Sequence, residues 1–303
     1  MIDLSNAHDE LREHCADVLK PVQWHELSDI FDKWLVSRKK SFADLFPVIG
    51  YYVAGGNDIS AILPTCGFWA LYLFAARLSD DIIDDEAHKW REISENKEGL
   101  LPPVLTLLSL ANYSLSKQES DQKTLINILE IMGRSWALAA KAQKDVQDKS
   151  LNLEKYLQNM IATTSLTVAA GFGSGAMVAT HDKEVVQALT EFGQFVGIAN
   201  SIVSDCEDVN PKGPKKSDIE LGIYKLPIIY AASLVDDNKN TLLMDELNQD
   251  SPDPKKVYSI LQSLGAVQWS LNMAKSYQIK AKNVLKNEAL DPSKTRMLTE
   301  FFK

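Results

Sequence analysis

Only three cysteines occur in the 303 residues, and Cys15, Cys66 and Cys206 are odd in number and scattered. That excludes a disulfide framework and a zinc pattern, and it suits a reducing, cytoplasmic location. No basic stripe offsets the acids, and the net charge of −9 argues against a nucleic-acid partner. No Pro/Gly/Ser-rich linker or shift in composition marks a boundary, so a single domain over residues 1–303 is expected. There is no Asn-Gly or Asp-Gly hairpin signal and no convincing strand alternation. The most apolar stretch, Ala61 to Ala76, is interrupted by Pro64 and ended by Arg77, too short to span a bilayer, so no transmembrane segment is expected. Met1 to Glu13 carries charges of both signs and no apolar core, so no signal peptide is expected either.

What is present is helical periodicity. With 45% hydrophobic residues the chain can bury a substantial core. Apolar residues recur every three to four positions over Trp24 to Val36, Leu101 to Leu115, Leu125 to Ala142, Tyr156 to Val168 and Val257 to Leu285. Breakers stand at Pro47 to Gly50, Gly55 to Asp58, Pro102-Pro103, Pro211 to Pro214 and Ser251 to Pro254. About ten or more helices in one domain imply an all-α bundle around a central cavity.

Two acid-rich stretches close long apolar helices. The first is Ser79-Asp80-Asp81-Ile82-Ile83-Asp84-Asp85-Glu86, and the second runs from Asn200 to Asp208. Residues four apart share a helix face, which aligns Asp80 with Asp84 and Asn200 with Ser204 and Asp208. An acidic run by itself reads as a solvated helix end, and Asn, Ser and Asp also cap helices. Two such runs, each with oxygen donors at i and i+4, favour function. Opposed across a cleft they would form an oxygen-only cage, which suits magnesium completed by substrate phosphates. Asp81 and Asp85 are expected to be solvated or to support the ligands from behind. One helical face leads back from Asp80 through Ala76, Leu73 and Tyr72 to Trp69. Singly these are ordinary core residues; as a stripe they would wall an apolar pocket below the metal site. Lys212, Lys215, Lys216 and Lys225 come after the second stretch, and one or two of them are candidate diphosphate ligands.

These residues resemble the trans-prenyl diphosphate synthase superfamily, with its class I isoprenoid synthase fold, over most of the chain. Asp80-Asp81-Ile82-Ile83-Asp84 matches the first D-D-x-x-D motif. Glu154-Lys155-Tyr156-Leu157 resembles the helix start before a mid-chain K-T element, here Thr163-Thr164. Gly197 to Asp208 aligns with the second aspartate-rich helix. Lys216 to Ile219, Gly222, Leu226-Pro227 and Tyr230-Ala231 resemble the segment on its C-terminal side.

The departures from the family pattern carry information. The basic G-G-K-x-x-R loop that holds isopentenyl diphosphate in elongating members reads Gly55-Gly56-Asn57-Asp58-Ile59-Ser60 here. Paired arginines after the first motif are reduced to Lys89-Trp90-Arg91, and Thr163 replaces the mid-chain lysine. Asn200, Ser204 and Asp208 resemble the N-x-x-x-S-x-x-x-E metal motif of terpene cyclases, with Asp in place of Glu. A second polyanion needs cationic partners, so losing the loop's cations argues against ordinary elongation.

The resemblance thus implies a single-domain, all-α class I isoprenoid synthase. It would ionise an allylic prenyl diphosphate with magnesium, three ions completed by the substrate. Asp80 and Asp84 would hold metal on one wall and Asn200, Ser204 and Asp208 on the other, with Asp205 the alternative to Ser204. Lys89, Arg91 and one of Lys215, Lys216 or Lys225 would contact diphosphate. Trp69, Tyr72 and the floor at Ala75-Ala76 would shape the tail, about fifteen to twenty carbons long, and aromatic faces would stabilise a cation. Cyclisation to a terpene is the expected outcome. The alternatives are transfer to isopentenyl diphosphate, transfer to another acceptor such as a small peptide, and a non-catalytic partner subunit of a prenyl synthase. The peptide alternative rests on Gly55 to Trp90, which also resembles the bacterial peptide-pheromone prenyltransferases. A homodimer is expected by resemblance.

Overall fold

The computed structural model of the chain describes residues 2–39, 42–83, 86–146, 152–211, 219, 222–234 and 237–302. Among them no strand occurs, and the chain is all-α as the periodicity predicts. The first helices are α1 (Leu4–Leu19), α2 (His25–Arg38), α3 (Phe46–Val53), α4 (Leu63–Ile83), α5 (Leu101–Leu115), α6 (Gln122–Val146) and α7 (Leu153–Met160). Then come α8 (Leu166–Ala179), α9 (Lys183–Asp208), α10 (Leu226–Ser233), α11 (Asp237–Leu247), α12 (Pro254–Ser263), α13 (Ala266–Val284) and α14 (Pro292–Thr295).

Some residues read as breakers turn out to start helices. Pro47, Pro102 and Pro254 sit in the first turns of α3, α5 and α12. A proline there gives up only an amide that has no intrahelical partner, and its φ already suits a helix. The opposite happens between Val257 and Leu285, one apolar run in the sequence. Gly265, at φ 67°, separates α12 from α13, because the left-handed region is open to glycine at little cost.

Contacts divide the chain into two compact units, whose boundaries fall inside α6, α8 and α9, just after α13, and near the C-terminal end. The first comprises Met1–Leu129, Gly171–Leu189 and Glu288–Met297. Its centre is α4, which packs along α5 and against α1. Phe31, Phe68, Trp69, Phe74 and Phe172 are fully buried there. Phe74 meets Phe31 edge-on at 5.4 Å, and Phe46 stacks on Phe172 at 4.8 Å. Burying one such ring contributes about 1.5–3 kcal/mol.

The second unit comprises Glu130–Ala170, Thr190–Asn287 and Leu298–Lys303. One of its cores joins Met160, Ile198, Ile202, Cys206, Leu226 and Ala274; another joins Val209, Ile228, Leu243, Val257 and Leu261. Between α7 and α8 the helix widens into a π turn, Ile161–Ser165, without interrupting the run Leu153–Ala179. Among the described residues that run alone is long and apolar enough by composition to cross a membrane, and 61% of its most apolar window is buried, as in a core helix.

Candidate active site

The first acidic motif ends α4, and the helix sorts its residues by face. Leu71, Phe74, Ala75, Leu78 and Asp81 point into the core, whereas Tyr72, Leu73, Ala76, Ser79 and Asp80 are partly open. Asp80 therefore shares an accessible stripe with Ala76, Leu73 and Tyr72. Trp69, expected on that stripe, is only 1% exposed; its indole donates to the Ala43 carbonyl at 2.9 Å. Ala75 is likewise a core residue, which leaves Ala76 of that pair on the open side. Asp84 and Asp85 lie outside the described residues, as do Lys212, Lys215 and Lys216.

Asp81 is fully buried, not solvated. Arg77 approaches its carboxylate at 2.8 Å, Lys89 at 3.4 Å, and the Trp90 indole donates to it at 2.7 Å. Its backbone carbonyl accepts from the Glu86 amide at 2.7 Å. Glu86 also binds Lys89, and that bond pulls its carboxyl below the ordinary glutamate value. Trp90 in turn meets Phe74 edge-on at 5.4 Å. Asp81 thus fastens the 3-10 turn Ala87–Trp90 to the end of α4. Lys89, expected at the diphosphate, is held by these two carboxylates, while Arg91 is exposed.

The second motif forms the last turns of α9 and is sorted in the same way. Asn200, Ser204 and Asp208 are exposed on one face, and Ile202, Asp205, Cys206 and Val209 are buried on the other. The Asp205 carboxylate accepts the Tyr156 hydroxyl of α7 and, at 3.3 Å, the Leu226 amide at the start of α10. That carboxylate joins three helices. Lys225 reaches within 3.8 Å of Asp208. Burial pushes the Cys206 thiol up to about 11, so it is not a nucleophile at neutral pH.

One turn before Asn200, α9 passes very close to the π turn. A Cβ on Gly197 would stand 2.9 Å from Ser165 Cα and 3.0 Å from the Thr164 carbonyl oxygen. The Ser165 hydroxyl donates across to the Gln194 carbonyl at 3.1 Å. Thr163 turns its hydroxyl back on the Asn159 carbonyl at 3.0 Å. π turns of this sort are frequent at functional sites.

In the first unit, the loop Gly55–Ser60 is short and acidic. The Asp58 carboxylate accepts from the Ser60 amide at 3.0 Å and its hydroxyl at 2.7 Å, capping the turn that leads into α4.

The accessible donors of both motifs are oxygens throughout. No group of three or more His, Cys, Asp or Glu that could hold a metal occurs among the described residues. Such sparse oxygen sets fit magnesium, which binds one or two carboxylates and takes its remaining ligands from water and substrate phosphate. Arg77, Trp90 and Tyr156, to which the motif reading gave no role, are the partners of the two buried acids. Arg77 stands four residues before Asp81, a spacing that could have revealed it. Tyr156 meets Asp205 across 49 residues of sequence, for which no local signal exists.

The chain is similar in sequence and in fold to known prenyl diphosphate synthases. The geranylgeranyl diphosphate synthase of Methanosarcina mazei is 24% identical over 261 residues, covering 81% of this chain and 79% of its own. The fold is similar to that of the geranylgeranyl pyrophosphate synthetase from Pyrococcus horikoshii, with TM-score 0.82, 19% identity and coverage of 98% and 96% of the two chains. The polyprenyl synthase from Caulobacter crescentus, solved with calcium and isoprenyl diphosphate, superimposes with TM-score 0.80, 19% identity and coverage of 98% and 92%. The profile of the polyprenyl synthetase family matches residues 74–264. That span takes in both acidic motifs, and the chain belongs to the polyprenyl synthetase family, as a prenyltransferase-type enzyme with the class I isoprenoid synthase fold.

Proposed function

We propose that this enzyme ionises an allylic prenyl diphosphate with bound magnesium and that the resulting cation closes on itself to give a terpene. Polyprenyl synthetases generally depend on magnesium. The observation that carries the ionisation step is the sorting of the acids. Asp80, Asn200, Ser204 and Asp208 are accessible, while their neighbours Asp81 and Asp205 are buried in structural bonds. Asp80, with Asp84 of the same motif, and Asn200, Ser204 and Asp208 are the proposed metal ligands. Ser204 is preferred to Asp205, whose carboxylate is occupied by Tyr156 and the Leu226 amide. Bound magnesium supplies Lewis-acid stabilisation of the departing diphosphate. Lys225 and Arg91, with Lys215 or Lys216, contact that group, and Lys89 joins them on leaving Glu86 and Asp81. Tyr72, Leu73 and Ala76 line the tail, with Trp69 supporting them from the core.

Cyclisation is supported by Gly55–Ser60, where the one charge is the Asp58 carboxylate. A second diphosphate would be poorly held there without cations. A second reading, transfer to isopentenyl diphosphate, is favoured by the elongating activity for which the relatives are named. Three free, buried cysteines support a cytoplasmic location. Exposed Leu101, Leu105, Ile126 and Leu129 support a homodimer.

The test is mass spectrometry of products from geranyl, farnesyl and geranylgeranyl diphosphate, each with magnesium and with or without isopentenyl diphosphate. A hydrocarbon or alcohol formed from one diphosphate alone establishes cyclisation. A longer diphosphate formed only with both substrates establishes elongation. No product from any mixture overturns both.

A further inference from the structure

Residues 254–287 contain six lysines and no aspartate or glutamate, in a chain whose net charge is −9. Four of those lysines, Lys275, Lys280, Lys282 and Lys286, lie on α13 or the turn after it. The inner side of α13 is built from small residues, with Ser270, Ala274 and Ala281 buried, and it packs on α10 and α12. Its outer side has a different composition. At 100° per residue, Leu271, Lys275, Ile279, Lys282 and Lys286 fall within an arc of about 80°. All five are exposed, Leu271 by 38% and Ile279 by 52%. Lys280 lies off this arc, with its Nζ 4.5 Å from the Tyr277 ring centroid.

A purely charged face would suit any polyanion. This one interleaves cations with large exposed aliphatic side chains along a single line of the helix. A nucleic acid or an acidic protein surface would use the lysines but gain little from Leu271 and Ile279. An anionic bilayer surface takes both: lysines meet the headgroups while aliphatic tips reach the acyl boundary. We propose that the outer face of α13 docks this chain on an anionic lipid surface. The proposal goes beyond the reaction proposed above and does not depend on it, since none of these residues belongs to either acidic motif.

Sedimentation with vesicles of phosphatidylcholine alone, or of phosphatidylcholine mixed with phosphatidylserine, tests it. Only the anionic vesicles should carry the protein down, and added salt should release it. Each lysine near such a surface is worth roughly fivefold in affinity, so Lys275→Gln with Lys286→Gln should weaken binding roughly 25-fold. Leu271→Ser with Ile279→Ser should also weaken it at unchanged charge. Thermal melting of both variants should match the parent, and both should turn over a short, soluble prenyl diphosphate as the parent does. Absence of binding to anionic vesicles overturns the proposal, as does equal binding by parent and lysine variant. Loss in the lysine variant but not in the Leu271/Ile279 variant also overturns it, in favour of a general polyanion surface. Vesicle binding and product analysis are read separately, so failure of one leaves the other standing.

Discussion

Asp80 and Asp81 are neighbours in sequence and should have opposite phenotypes. In Asp81→Ala the Trp90 indole N–H loses its buried acceptor, at a cost of about 1–3 kcal/mol. Arg77 and Lys89 lose their shared carboxylate as well, but their side chains are 39% and 30% exposed and regain water. Their share is therefore well below the ~3–5 kcal/mol of a fully buried broken pair. Together these give a destabilisation of about 2–4 kcal/mol, or a urea midpoint lower by about 1 M for a slope near 3 kcal/mol/M. Asp80→Ala removes a partly open side chain, whose interactions are screened by solvent, and should cost about 1 kcal/mol or less. Its turnover should fall by about a hundredfold or more, because a lost metal ligand removes several kcal/mol of transition-state stabilisation. Urea titration followed by circular dichroism, beside a magnesium-dependent turnover assay, reads both variants. A stable Asp81→Ala, or an Asp80→Ala that unfolds as early as Asp81→Ala, would refute the assignment of one acid to structure and the other to chemistry.

The second motif divides in the same way. Ser204→Ala should raise the magnesium concentration needed for half-maximal turnover without moving the melting temperature. Tyr156→Phe should cost about 1 kcal/mol and leave the magnesium requirement unchanged, and the reverse pattern would make Asp205 the ligand. Gly197→Ala should destabilise by about 1–3 kcal/mol, seen as an earlier melt with unchanged helicity, since its methyl group meets the backbone of the π turn. His8 and His14 are held below the ordinary histidine value, in each case chiefly by burial. The unfolded chain therefore takes up protons at these sites more readily than the folded one. Their contribution to stability is fully present above the unfolded value near 6.5 and is lost as pH falls towards the lowered folded values. His8→Phe should flatten the fall in urea midpoint between about pH 7.5 and about pH 5, and an unchanged slope would exclude His8 as its source.

Fold class was legible because helical periodicity is a local property. Leu101 to Leu115 reads as a helix from spacing alone and is α5 to the residue. Boundaries were less legible where a residue has two uses. Proline ends a helix from within but opens one from its first turn, so Pro47 and Pro102 looked like breaks and are starts. Glycine can sit inside a helical pattern, and only its φ of 67° shows that Gly265 divides the last long run in two.

The sequence alone determined the chemistry on offer: two acid-rich helix ends with oxygen donors four residues apart, a Gly55–Ser60 loop without cations, and an all-helical chain. These are set by residue type and by the 3.6-residue turn, which act within a few positions. Tertiary structure alone decided which oxygen donor of each motif is buried and which stays accessible. Asp81 against Asp80, and Asp205 against Ser204, differ by one step along a helix, about 100° of rotation. Packing turns one member of each pair inward, where an unpartnered carboxylate would be costly, and there Arg77, Lys89 and Trp90, or Tyr156 and the Leu226 amide, satisfy it. Tyr156 reaches its partner only when α7, α9 and α10 come together, so no local pattern could have shown it.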